Sequence, residues 1–299
     1  MHFFVSVIIP TYNHAKFLAK AIKSVLDQTY TNFEIIVIDN HSTDNTNEVV
    51  NSFNDARLKL LKVHNNGVIA ISRNKGILEA KGDWIAFLDS DDFWYPKKLE
   101  VSMKFISDNN QFEVISSNEL AVNLKTGDRS ILRYGPYENN FYQTLLCNGN
   151  RLSTSAILVN HSFLKEKKLL FNESEDYIAV EDYDLWLKLA LNGAKFKFIE
   201  GVYGEYFIHE NNNSSQLLRQ RINYKNLLRD HVFKIQKFNK YPHKLWKDLM
   251  PHMNFDEIKQ LVADGYKFRA FNKFIYSFFY HPFGMLKYIF IKLRKKYKL

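Results

Sequence analysis

The apolar run Trp84-Ile85-Ala86-Phe87-Leu88 leads straight into Asp89-Ser90-Asp91-Asp92, which places three carboxylates within four residues. Clustered like charges repel and resist leaving water, so a strand that ends in them needs a cation or a set of polar ligand groups at that end. Asp89 and Asp91 are two apart. In extended backbone their side chains leave on the same side, where both can offer oxygen to a hard cation such as Mg²⁺ or Mn²⁺, whose usual companion is a diphosphate. A solvated acidic turn is the alternative reading. A calcium loop of the EF-hand kind fails, because its spacing asks for an oxygen ligand at Phe93 and a glycine at Trp94.

The elements that must position these acids alternate along the first half of the chain. Val5–Pro10, Phe33–Asp39, Leu58–Val63 and Trp84–Leu88 read as strands, three of them almost continuously apolar, as buried parallel strands are. Between them lie helical patterns. Phe17, Ala21 and Val25 repeat beside Leu18, Ile22 and Leu26; Ser42/Thr43 and Asp44 precede a second helix with Val49, Val50 and Phe53. A third runs from about Ile69 to Ala80, and a fourth follows Pro96 with Leu99, Met103 and Ile106 on its buried face. This order predicts an α/β fold with a parallel sheet covered on both sides, whose ligands bind beyond the carboxyl ends of the strands. Each of the four strands does end in a polar cluster: Thr11-Tyr12-Asn13, Asp39-Asn40, Asn65-Asn66-Gly67 and Asp89–Asp92. The stretch 112–175 is less legible, with Ser153–Val159 reading as a further strand. Past about residue 215 the pattern is helical and rich in Lys, Phe and Tyr.

At 299 residues and 46% hydrophobic content the chain can bury a large core. A single cysteine, Cys147, excludes an intramolecular disulfide framework and a Cys-rich zinc site, consistent with a reducing compartment. The first residues lack the basic region and cleavage site of a signal peptide. Net charge is +9 but unevenly spread: residues 1–210 hold 22 Lys+Arg against 27 Asp+Glu, and residues 211–299 hold 19 against 5. The basic end suits nucleic acid, an anionic membrane surface, or solubility alone.

Five stretches taken together carry a resemblance. Ser6–Asn13, Ile36–Asp44, Asn66-Gly67 through Arg73-Asn74-Lys75-Gly76, Phe87–Asp92 and Glu181-Asp182-Tyr183-Asp184-Leu185-Trp186-Leu187 resemble, in order, the successive motifs of the GT-A-fold family 2 glycosyltransferases. The resemblance spans about residues 4–213. It implies a GT-A glycosyltransferase domain at 1–213 with a mostly parallel central sheet flanked by helices, then a basic, aromatic-rich helical extension at 214–299. It further implies an inverting, metal-dependent transfer of a hexosyl or N-acetylhexosaminyl group from a nucleotide sugar, a UDP-sugar above all, in bacterial surface-polysaccharide or lipopolysaccharide biosynthesis.

The same resemblance assigns roles. Pro10, Thr11 and Tyr12 would meet the base or ribose; Asp39 would accept a hydrogen bond from the base, which favours uracil; Arg73 would lie near the base and diphosphate. Asp89 and Asp91 become the family's Asp-x-Asp, with Asp91 on Mn²⁺ or Mg²⁺, Asp89 orienting ribose or metal-bound water, and Ser90 beside the donor. Asp92 is a spare. In Tyr206–Asn212, His209 is a metal or diphosphate ligand or else a structural histidine, and Phe207 stands where many relatives carry Arg. Asp182 would be the catalytic base at the start of a helix with Tyr183, Trp186, Leu187, Ala190 and Leu191 on its faces, ending at Gly193; a helix-dipole role is the alternative.

Other classes fit less well. No G-x-G-x-x-G follows a strand, which disfavours a dinucleotide oxidoreductase, and no Gly-rich, Arg-containing loop follows the first strand, which disfavours nucleotidyl transfer. A non-catalytic glycan- or membrane-binding module on the same fold stays open. Residues Leu286–Lys298 carry six cations and no acid after the aromatic stretch Phe274–Phe283, and the longest uncharged run there, Phe274–Leu286, is too short and too broken by Pro282 and Gly284 to span a bilayer. An interfacial helix on an anionic membrane is expected there, with a lipid-linked acceptor, no nucleic acid, and a place on the cytoplasmic face of the cell membrane.

Overall fold

The structure, a computed structural model, describes residues 3–109, 111–209, 217–263, 265–280, 282 and 284–286. The chain divides into two compact units, Met1–Tyr224 and Lys225–Leu299. Most of the basic segment 286–298, and Glu210-Asn211-Asn212, lie outside the described residues.

The first unit is built on a nine-stranded sheet. Its elements run β1 (Val5–Thr11), α1 (Ala15–Leu26), β2 (Phe33–Asp39), α2 (Thr46–Ser52), β3 (Leu58–Lys62), α3 (Ile69–Glu79), β4 (Trp84–Phe87), β5 (Phe93–Trp94), α4 (Lys98–Asp108), β6 (Val114–Asn123), β7 (Arg129–Leu132), α5 (Phe141–Asn148), β8 (Ile157–Asn160), α6 (His161–Lys167), α7 (Glu181–Leu191) and β9 (Phe196–Ile208). The strand order is β3-β2-β1-β4-β8-β6-β9-β5, with β7 paired to β6. The expected parallel arrangement holds across β3-β2-β1-β4 and again between β6 and β9. β5, β7 and β8 run antiparallel to their neighbours.

Period-two alternation sorts the strand side chains to two faces. Val5, Val7 and Ile9 of β1, Phe33, Ile35 and Val37 of β2, and Trp84 and Ala86 of β4 are buried with Leu18, Ile22 and Val25 of α1 and Leu99, Met103 and Ile106 of α4. Ile8 points to the other face, where α3 crosses so closely that a Cβ on Gly76 would lie 2.4 Å from the Ile8 side chain. Phe87 meets Phe171 edge-on, and Phe171 meets Trp186 of α7. α3 and α7 are thereby held on the face from which both reach the strand ends.

Two local expectations shift. The strand over 153–159 is shorter, because Thr154–Ala156 forms a 3-10 turn before β8. Ser42 does not cap α2: its N–H and hydroxyl both donate to Asp39, and Asp44 instead accepts from Thr46 and from the N–H of Ala15.

In the second unit, α9 (Pro242–Ala263) packs against α10 (Lys267–Tyr280). α8 (Leu217–Asp230) runs across the boundary between the units. Among the described residues no helix is long and apolar enough to cross a membrane.

Candidate active site

Register brings the first two strand ends level, with Thr11 opposite Asp39. On the other side of β1 the ladder stops early. Ile8 is the last residue paired to β4, and its carbonyl accepts from Leu88 N–H. Backbone groups alternate along a strand, so the next group aimed at the β4 side belongs to position 10, and Pro10 has no N–H to give. Beyond that point the two chains part, at the kind of crevice where α/β sheets bind ligands.

A cavity of about 510 Å³ opens there. Pro10, Thr11 and Tyr12 line it from the end of β1; Asp89, Ser90 and Asp91 from the end of β4; Arg73 from α3; Glu181 and Asp182 from the first turn of α7. Acids far apart in sequence thus face one space.

Each of the three carboxylates after β4 has its own partner, which is how the fold tolerates the cluster. Asp89 pairs with the Arg73 guanidinium at 2.7 Å, and its N–H donates to Ser155. Asp91 Oδ2 lies 3.0 Å from His209 Nε2. Asp92 is buried, accepting from the Ser155 hydroxyl at 2.5 Å and from Phe207 N–H at 3.2 Å. It ties β5 to β9 and does not line the cavity, in keeping with its reading as the spare.

Arg73, expected at the base and diphosphate, is a buried bridge: Nη2 donates to Asp89 and Nη1 to Glu181 Oε1, each at 2.7 Å. Burial alone would favour the neutral guanidine, but the two carboxylates outweigh it and raise the pKa. Its placement links the β4 carboxylates to the α7 turn.

Asp182 is half-buried, and its Oδ1 accepts from Tyr183 N–H. Burial, reinforced by the neighbouring Glu181, pushes its carboxyl up to about 7 against the opposing pull of Arg73. That is the range in which a carboxylate exchanges protons near neutrality. Asp91 is also raised, by burial first and by Asp89 next, with the His209 contact opposing.

At the end of β1 the Thr11 hydroxyl is buried without a hydrogen-bond partner among the described residues, and Tyr12 is 53% exposed. Asp39 is not brought into the cavity. It is fully buried, with Oδ1 accepting from Ser42 and Oδ2 3.7 Å from Lys62 Nζ, while Asn40 lines the cavity in its place. His209 sits just behind the lining, stacked on Phe17 with ring centroids 5.0 Å apart.

Asp91 supplies a hard oxygen, the donor that suits Mn²⁺ or Mg²⁺, and His209 sets one imidazole nitrogen beside it. Among the described residues no group of three or more His, Cys, Asp or Glu is arranged to hold a metal. A cation there would complete its shell from water or substrate.

The sequence reading missed several lining residues. His14 adjoins the Thr11-Tyr12-Asn13 motif, and its Nδ1 lies 3.2 Å from the Ser90 hydroxyl, so its position next to a strand-end cluster was a usable signal. Tyr134, which donates to Glu119, comes from a loop with no pattern of its own, and Ser153 was read as the start of a strand, which gave no sign that it would face a cavity.

A family model described as Glycosyl transferase family 2 matches residues 6–166. Among curated relatives, the Escherichia coli UDP-Glc:alpha-D-GlcNAc-diphosphoundecaprenol beta-1,3-glucosyltransferase WfaP is 32% identical over 75% of this chain and 85% of its own. WfgD, of the same description and organism, is 33% identical over 62% of this chain and 70% of its own. Among solved structures, S. aureus TarS 1-349 in complex with UDP-GlcNAc superposes with a TM-score of 0.65 at 20% identity, covering 85% of this chain and 73% of that one. The mannosyltransferase PcManGT from Pyrobaculum calidifontis, in complex with GDP-Man and Mn2+, gives 0.58 at 18% identity, covering 88% and 76%. At those identities the likeness speaks to the fold, which is GT-A.

Proposed function

The chain belongs to glycosyl transferase family 2, and from that membership we propose that it transfers a hexose, with inversion, from a UDP-sugar to a hydroxyl of a lipid-linked saccharide in surface-polysaccharide assembly. The observation that carries this reading is the convergence of Asp91 and Asp182 on one cavity. UDP-glucose and a GlcNAc-diphospholipid acceptor are the first pair to test, because both E. coli relatives bear those substrates in their names. We take the glycosyltransferase domain to be residues 1–213 and the basic region 214–299 to rest on an anionic membrane at the cytoplasmic face, within reach of such an acceptor.

The chemistry follows from the placement of this chain's own groups. Thr11 offers an unpaired hydroxyl and Tyr12 an exposed ring, which suit one hydrogen bond and stacking on a base. A divalent cation held by Asp91 and His209 would neutralise charge growing on the departing diphosphate. Asp182 Oδ takes the proton from the acceptor hydroxyl as that oxygen attacks the anomeric carbon, on the face opposite the leaving group. Arg73 positions both ends at once: by holding Asp89 and Glu181 it fixes the spacing between the donor acids and the base.

The test is an assay of the full chain with UDP-glucose, Mn²⁺ and a GlcNAc-diphospholipid acceptor, with the anomer of the product read by NMR. We expect a β-linked product from the α-linked donor. Asp91→Ala is expected to lower transfer by about 10²–10³-fold and to abolish the response to added Mn²⁺. A retained α configuration, or an Asp91→Ala variant as active as the parent, would overturn the mechanism. UDP binding without turnover by any UDP-sugar would favour a non-catalytic module.

A further inference from the structure

α10 is turned inside out for a helix in water. It packs on α9, with Ala270 and Ser277 its buried residues and Lys273 Nζ 3.0 Å from Glu257. At about 100° per residue, Phe268, Phe271, Ile275 and Phe279 fall within an arc of roughly 80° on the opposite side. Their exposures are 77, 61, 38 and 77%. A helix that covers a core normally turns charge outward; this one turns three phenylalanines and an isoleucine outward, and a contiguous exposed apolar face marks an interaction surface.

We infer that this face of α10 inserts into the interface of an anionic bilayer. The inference rests on the membrane placement proposed above and assigns it to named residues. Charge identifies the occupant. α10 has no acidic residue and carries Lys267 and Arg269 to either side of the apolar arc, in a region with 19 Lys+Arg against 5 Asp+Glu. A second copy of the same face would bring like charges together, whereas anionic headgroups neutralise them. Tyr276 and Tyr280, 56 and 66% exposed, lie along one side of the apolar arc, where an amphipathic ring meets both headgroup and acyl chain. The basic segment 287–298 adds long-range attraction, and α10 supplies the part that enters the lipid.

Cosedimentation of the full chain with phosphatidylglycerol/phosphatidylcholine vesicles tests this against pure phosphatidylcholine vesicles. The wild type is expected on the anionic vesicles. Phe268→Gln, Phe271→Gln and Phe279→Gln combined are expected to weaken partitioning by more than about 100-fold, while far-UV circular dichroism and UDP binding stay unchanged. Should the triple variant fail to fold, Phe279→Gln alone is read, with about a tenfold loss expected. Wild-type binding that the variants leave intact overturns the role of α10 and leaves the membrane placement to the basic segment. A wild type that binds neither vesicle overturns both. Equal binding to pure phosphatidylcholine overturns the electrostatic part, and a variant that turns a dimer into a monomer without changing vesicle binding makes the face a contact between copies.

Discussion

α7 and α10 are helices of similar length that solve opposite problems. Of the eleven residues of α7, Tyr183, Leu185, Trp186, Leu187 and Leu189 are buried, and its first turn delivers Glu181 and Asp182 to the cavity. α10 buries only Ala270 and Ser277 of its fourteen residues and exposes its largest side chains. A helix anchored by its bulk holds a charge at its tip in one place, which suits catalysis. A helix with its bulk outside is complete only against an apolar surface.

The sharpest way to break this contrast is Asp182→Asn. It keeps size and geometry and removes the proposed base, so transfer is expected to fall by about 10³-fold while UDP affinity, measured by calorimetry, is unchanged. Transfer at wild-type rate would leave α7 with an anchoring role only. Next is Trp186→Ala, which removes a fully buried ring: about 3–5 kcal/mol of stability should be lost in urea titrations. A loss under about 1 kcal/mol would show that α7 is not held by its bulk.

The titration of Asp182 gives subtler effects. The proposed base would act ionised and its carboxyl sits at about 7, so the chemical rate should rise with pH to about 7 and level off above it. Glu181→Gln removes a neighbour that raises this pKa, and the midpoint of the profile should move down; an upward move would contradict the assigned cause. The folded chain holds this proton more tightly than the unfolded chain, whose value is near 3.8, so ionisation costs stability as pH rises from about 4 through 7. Asp182→Asn removes that cost, and the variant should melt higher than the parent at pH 8, with the gap closing toward pH 4. The smallest effect belongs to α10. Phe279→Gln, at a 77% exposed position, should change stability in free solution by no more than about 0.5 kcal/mol, and a larger loss would mean that this ring is packed.

The pattern of polar clusters after apolar runs was enough to foresee β1 through β4 and the helices between them, because buried parallel strands read as continuous apolar stretches. β6 was not foreseen: Val114–Asn123 carries Ser116, Ser117, Asn118 and Glu119, and its burial depends on partners such as Lys98 and Tyr134 that only the fold brings near. In the site, Asp91 stood out by its spacing from Asp89 and Asp182 only through the family resemblance, and the two do share a cavity. The burial of Asp39 under Ser42 and the double engagement of Arg73 were not legible, since each depends on which of several nearby groups a side chain meets first. No local pattern encodes that choice.

Pro10 carries a consequence for how the cavity responds to a ligand. The seam between β1 and β4 stays open because a donor is missing from the chain, and no loop movement can supply one. The proposed nucleotide end should therefore keep much the same width empty and filled, and adaptation to different sugars should fall to the opposite wall, where Tyr134 and Ser153 come from irregular chain and Thr154 opens a 3-10 turn. Changes of donor preference should then be sought in residues 132–154, with the strand ends left alone.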